Sequence, residues 1–134
     1  MHVVSSSLRH EQNFGVWQSD FGVECLTWDE SMHAILGLPA GGPRYGLDLL
    51  LARVHDEDRA AAGRAIGRGL LGHSPLRAAF RVLSGDGVVR HVVLRGSVAT
   101  DHHRRHRHAG ICVDVTDVVR AARSAAGARG AARG

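Results

Sequence analysis

At 134 residues, with 44% hydrophobic and 22% charged content, the chain has the make-up of one globular domain, able to bury a core without disulfides or a structural metal and too short for a second. No apolar run approaches the ~20 residues that cross a bilayer, and Met1-His2-Val3-Val4-Ser5-Ser6-Ser7 lacks the basic patch and apolar stretch of a secretion signal, so no membrane partner and a cytoplasmic location are expected. The formal charge of +4 reflects 17 basic residues, all arginine and dispersed along the chain; nucleic-acid binding needs such charge gathered on one face, so nucleic acid is not the expected partner.

Phe14-Gly15-Val16-Trp17-Gln18-Ser19-Asp20-Phe21 alternates apolar and polar residues from Val16, and Glu24-Cys25-Leu26-Thr27-Trp28 follows the Gly22 turn, which predicts a hairpin. Asp29 stands where an N-cap belongs, and Met32, Ile35 and Leu36 repeat at helical spacing until Gly37 and Pro39 stop the helix. Beyond the Ala40-Gly41-Gly42-Pro43 loop, Asp48 is expected to cap a second short helix with Leu47, Leu50, Leu51 and Val54 on one face. A third begins at Asp56-Glu57-Asp58, three acids at the positive end of the helix dipole, and turns Ala62, Ile66 and Leu70 inward. Gly63, Gly67 and Gly69 each cost that helix on the order of 1 kcal/mol relative to alanine, so tertiary packing must hold it.

Strands are predicted at about 76–83, 88–99 and 109–116, the first two joined through Ser84-Gly85-Asp86-Gly87. Thr116 is then expected as the N-cap of a last helix, with Asp117 in its first turn and Val118, Val119 and Ala122 along one stripe. Gly127, Gly130 and Gly134 predict that about the last ten residues fray. The predicted order is β-β-α-α-α-β-β-β-α.

Five stretches carry a resemblance in that order. They are Gly15-Val16-Trp17; Leu26-Thr27-Trp28 leading to Ile35-Leu36-Gly37-Leu38-Pro39; Val54-His55-Asp56-Glu57-Asp58-Arg59; Phe80-Arg81-Val82 with Gly85-Asp86-Gly87-Val88-Val89-Arg90-His91-Val92; and Asp114-Val115-Thr116-Asp117. Together they resemble the PAS domain, in the group common in bacterial sensor histidine kinases and diguanylate cyclases, from about Phe14 to Arg120. Asp56 and Gly85 stand where proline is usual in that group, and His91 where an aromatic is frequent.

The resemblance implies an α+β domain: a five-stranded antiparallel sheet with short helices packed on one face and a C-terminal helix. The domain proper would span 14–117, between an N-terminal flanking segment 1–13 and a helix with a frayed tail over 118–134. Leu26, Trp28, Ile35, Leu51, Val54, Ile66, Phe80, Val82 and Val113 would form the pocket and core, which holds a ligand in some relatives. Asp114, Thr116 and Asp117 would relay a signal from the last strand into the last helix, and Val118, Val119 and Ala122 would meet a second copy in a homodimer. A small-molecule ligand or a signalling effector protein is the implied partner, and the role is sensory rather than enzymatic.

Flavin photoadduct formation in this fold requires a reactive cysteine on a helix beside an Asn and Arg motif. Cys25 and Cys112 sit in strand-like runs without that motif or CxxC spacing and read as buried reduced thiols. Haem-binding relatives use a helical histidine facing the pocket; the helix-associated candidates, His33 and His55, are more simply core or capping side chains. Neither flavin photoadduct nor haem is expected, and the cofactor is otherwise open.

Asp101-His102-His103-Arg104-Arg105-His106-Arg107-His108 could ligate zinc or nickel through His102 and His106 with His103 or His108. The interleaved arginines repel a dication, so a solvated loop is the preferred reading, with docking of an acidic partner or phosphate as a further one. No Ser/His/Asp spacing, carboxylate pair or phosphate-cradling glycine loop stands out for catalysis. The alternative function, a small α+β enzyme or carrier acting on a metabolite in the pocket, predicts titratable groups converging inside, where apolar residues are expected.

Overall fold

Backbone pairing brings the last strand to the middle of the sheet. The computed structural model describes residues 13–20, 26–38, 46–84 and 87–133. Strands β1 (Phe14–Asp20), β2 (Leu26–Trp28), β3 (Leu76–Leu83), β4 (Val89–Thr100) and β5 (His106–Asp114) form an antiparallel sheet in the order β2-β1-β5-β4-β3. Helices α1 (Glu30–Leu36), α2 (Leu47–Arg53) and α3 (Asp56–Leu71) lie between β2 and β3 in sequence, and α4 (Thr116–Arg133) follows β5. This is the expected element order and fold class. Expectations at 21–25 (Cys25 included), in the 39–43 loop, at Gly85-Asp86 and before Asn13 fall outside the described residues.

Local chemistry explains most of the element ends. Asp29 Oδ1 accepts from the Met32 N–H at 3.0 Å, and Gly37 closes α1 in the left-handed region at φ 70. At α2 the expectation fails: Gly46, not Asp48, is the N-cap, because the helical backbone already begins at Leu47; Asp48 lies in the first turn, where its charge complements the dipole. His55 caps α3, its Nδ1 accepting from the Glu57 N–H at 3.2 Å. The last helix extends to Arg133, through Gly127 and Gly130; the surrounding alanines and arginines are strong helix formers that offset the ~1 kcal/mol each glycine costs.

Alternation fixes which face is buried. In β3, Leu76, Ala78, Phe80 and Val82 point to the helices, while Arg77, Ala79, Arg81 and Leu83 point away. Trp17 from β1, Val92 and Leu94 from β4 and Cys112 from β5 join them, and Met32, Ile35, Leu36, Leu50, Val54, Ile66 and Leu70 complete the core from the helical side. Trp28 and Leu51 are half-buried against that core. Val113 corrects an expectation: it neighbours the fully buried Cys112 and so stands on the opposite face, paired with Phe14 and Val93. A one-residue difference in parity carries a strand residue across the sheet.

The start of α3 is clamped to the edge strand β3. Asp58 Oδ2 accepts from the Arg81 backbone N–H at 2.8 Å and from Nε at 2.9 Å, its Oδ1 accepts from Nη2 at 2.9 Å, and Glu57 accepts from Nη2 at 3.0 Å. The side-chain hydrogen bond from Arg81 is the main reason the Asp58 carboxyl is held down at about 2, against an ordinary 3.8, in spite of the opposing effect of burial. With the His55 N–H donating to the Arg81 carbonyl at 2.8 Å, the clamp occupies backbone groups that an edge strand would otherwise leave open.

Candidate functional site

Among the described residues, the core encloses little free space. Trp17, Leu26, Trp28, Met32, Leu50, Ile66 and Leu94 enclose a cavity of about 10 Å³, close to the volume of one water-sized sphere. Of the residues expected to form a pocket, Leu26, Trp28 and Ile66 line this space; Ile35, Val54, Phe80 and Val82 pack elsewhere in the core. Trp17, Met32, Leu50 and Leu94 were not among the expected residues, although the β1 alternation that turns Trp17 inward is visible in the sequence.

Trp17 fits because its neighbours lack side chains. Its Nε1–H is shared between the Arg95 carbonyl at 3.2 Å and the Ile111 carbonyl at 3.3 Å. The indole lies over the facing pair Gly96 and Gly110; a Cβ on Gly96 would come within 2.5 Å of its ring.

Neither cofactor known in the resembled fold suits these residues. A cavity of about 10 Å³ admits neither an isoalloxazine nor a porphyrin. Cys112 is fully buried on a strand, and burial pushes its thiol up to about 12, which leaves it protonated and a poor nucleophile at neutral pH. His33 Nδ1 lies 2.8 Å from the Asp29 carbonyl oxygen and its ring meets Trp28 edge-on, while His55 caps α3; neither lines the cavity.

The expected relay residues divide. Asp114 Oδ1 accepts from the Thr116 N–H at 2.9 Å and from the Thr116 hydroxyl, whose oxygen in turn accepts from the His91 N–H at 3.0 Å. Val115 donates to the His91 carbonyl at 2.8 Å, and Arg90 Nη1 reaches Asp114 Oδ2 at 3.2 Å. Thr116 is therefore not the N-cap it was expected to be. It is the first helical residue, with its hydroxyl turned back to β4, and the carboxylate of Asp114 satisfies its N–H instead.

Through these bonds β4, β5 and α4 meet at one joint. Asp117 stays exposed on the first turn, outside that network. Arg90 and His91 were not anticipated as parts of the joint; their place depends on the β4–β5 register, which no local pattern reveals. Along α4, Val118 and Ala122 are exposed and Val119 is half-buried.

The histidines of the His-rich segment are dispersed rather than assembled as a ligand set. Strand pairing reaches Thr100 and resumes at His106, so the expected loop shortens to 101–105. Asp101 organises that turn: its Oδ1 accepts from the His103 and Arg105 N–H groups at 2.8 and 3.0 Å, and its Oδ2 accepts from Arg105 Nε at 2.9 Å. These bonds, led by that from the Arg105 N–H, hold its carboxyl below the usual range.

His102 and His103 sit together at the tip, their ring centroids 4.0 Å apart. His106 stacks on His73 at 4.0 Å, and the buried His108 Nε2 lies 2.9 Å from the Ser74 carbonyl oxygen. The four imidazoles are thus not gathered at one point, and among the described residues no three His, Cys, Asp or Glu side chains are grouped to hold a metal ion.

Comparison with known proteins agrees with this geometry. No curated protein matches the sequence. Among solved structures, a sensory box histidine kinase/response regulator from Burkholderia thailandensis superposes with a TM-score of 0.67 at 20% identity, over 96% of this chain and 97% of that one. The N-terminal domain of a diguanylate cyclase with PAS/PAC sensor from Marinobacter aquaeolei gives 0.67 at 18% identity, over 77% and 95%. An RNA-binding light-oxygen-voltage receptor gives 0.65 at 21% identity over 86% of this chain, which spans 35% of that receptor's length. No helix among the described residues is long and apolar enough to cross a membrane. A family model described as the PAS fold matches residues 25–112, the stretch that carries β2, the three intervening helices, β3, β4 and most of β5; the chain belongs to the PAS family.

Proposed function

We propose that this PAS domain is a non-enzymatic sensory and protein-interaction module of cytoplasmic signal transduction, which passes the state of its sheet to α4 through the Asp114–Thr116 joint and works as a homodimer with contacts along Val118, Val119 and Ala122. The observation that carries the reading is the double use of the Thr116 hydroxyl, bonded to Asp114 of β5 and accepting from His91 of β4. A small shift between the two central strands alters the first turn of α4 directly. The nearly filled core supports a partner protein over a small-molecule ligand as the input. It also opposes the enzyme or carrier reading, because the cavity is walled by apolar and aromatic side chains rather than by converging titratable groups. The likeness to domains of a sensor kinase and of a diguanylate cyclase supports a signalling context.

Thr116→Ala tests the joint. Removing the hydroxyl leaves the His91 N–H without its acceptor, at a cost of about 1 kcal/mol. Amide exchange at His91 and in the first turn of α4 should accelerate about fivefold, with protection in the β1–β5 ladder unchanged. Unaltered exchange at those amides would refute the relay.

A further inference from the structure

The face of the sheet turned away from the helices carries a groove of about 510 Å³ between β3, β4 and β5. Arg77 and Arg95 stand directly opposite each other on β3 and β4 and are both exposed. Like charges in directly opposed positions destabilise a strand pair. Arg59, Arg81, Arg90 and Arg105 each have a carboxylate within 3.2 Å. Arg77 and Arg95 have none among the described residues. The strand pair therefore bears an uncompensated repulsion on a concave surface.

The floor beside them is made of small residues. Ser97 and Ala109, directly opposite each other on this face, keep the floor low, and the Trp17 indole anchors the Arg95 and Ile111 carbonyls from the opposite side of the sheet. Beyond the floor the rim is apolar: Ile111 is 39% exposed and pairs with Val16, which is 47% exposed. A site cationic on one side and apolar on the other suits an extended polypeptide in which carboxylates alternate with aliphatic side chains. Single-stranded nucleic acid would need aromatic platforms beside the arginines; on the described residues the exposed large hydrophobics of this face are aliphatic except Phe14, which lies across Val113 on the far side of Ile111.

We propose that the Arg77–Arg95 groove binds an acidic segment of a partner protein, two guanidinium groups taking carboxylates while Ile111 and Val16 take its aliphatic side chains. This rests on the partner-binding role proposed above and names the chemistry of the partner. It does not depend on the Asp114–Thr116 joint, so the exchange experiment on Thr116→Ala and the binding experiment below can fail separately.

The test titrates the full chain into a fluorescein-labelled short peptide of alternating Glu and Leu, and into a labelled single-stranded uridine oligonucleotide of equal net charge, reading anisotropy. The peptide should bind the native chain, more weakly as salt rises, and the double variant Arg77→Glu, Arg95→Glu should lose at least about tenfold in affinity. Its thermal midpoint should stay about the same, since the variant exchanges one like-charged pair for another at exposed positions. Arg64→Glu, Arg68→Glu, on the exposed side of α3, changes the net charge equally and should leave peptide affinity unchanged. Absence of peptide binding, equal losses in the two double variants, or tighter binding of the oligonucleotide would each overturn the proposal. So would loss of self-association in the Arg77→Glu, Arg95→Glu variant, which would assign the groove to a second copy of the chain.

Discussion

Trp17→Ala is expected to remove about 3–5 kcal/mol of unfolding free energy, read as a lowered midpoint in urea with little change in slope. The side chain is 2% exposed and spans the core beneath the central strands. Its removal enlarges the small cavity beside Trp28 and Met32, and takes the Nε1–H from both the Arg95 and Ile111 carbonyls. Gly96 and Gly110 cannot fill the space, because neither has a side chain to move into it.

Trp17→Phe separates the two contributions. It keeps most of the packing and loses the donor, so it should cost about 1–2 kcal/mol. A loss below about 1 kcal/mol for Trp17→Ala would mean that the indole does not hold the β4–β5 pair as described.

Asp58→Asn should have the second largest effect and should change how stability depends on pH. In the folded chain the Asp58 carboxyl sits at about 2, below its ordinary 3.8. A carboxyl depressed on folding contributes stability that is fully present above its unfolded value and disappears as pH falls through the folded one. The wild type should therefore lose this contribution progressively between about pH 5 and pH 2, whereas the variant lacks it throughout.

The pair is partly open to solvent, with the Asp58 side chain 26% and the Arg81 side chain 30% exposed. Screening there brings the expected cost at neutral pH to about 1–2 kcal/mol. Denaturation midpoints of the two proteins at pH 7 and pH 2 measure it: the gap should narrow at the lower pH. A gap that stays constant would show that the ion pair contributes nothing to folding.

Periodic and capping signals made most of the architecture legible. Leu76, Ala78, Phe80 and Val82 alternate cleanly with Arg77 and Arg81, and Asp29 with Gly37 brackets α1. Parity is not legible at Ile111-Cys112-Val113, a run apolar throughout: the sequence reads both Cys112 and Val113 as buried, and only Cys112 faces the core. Long-range pairing was the other blind spot. Arg90 reaches Asp114 across 24 positions, and the Trp17 ring needs a glycine at the distant position 96.

The His-rich run misled for a related reason. Clustering in sequence suggested chelation, but the strand that resumes at His106 draws His106 and His108 to the turn after α3 and leaves His102 and His103 at the tip. Thr116 was identified as a joint residue, yet its partner was unforeseen, because a cap rule looks forward along the helix while this hydroxyl points back to β4.

Native mass spectrometry of the untagged full chain, set against its denatured mass, tests most directly the proposal that this domain acts through protein contacts rather than through a resident ligand. The account predicts a dimer of bare chains, with native and denatured masses in simple proportion. Additional mass retained on the native species and released on denaturation would reveal a resident small molecule, and would contradict it.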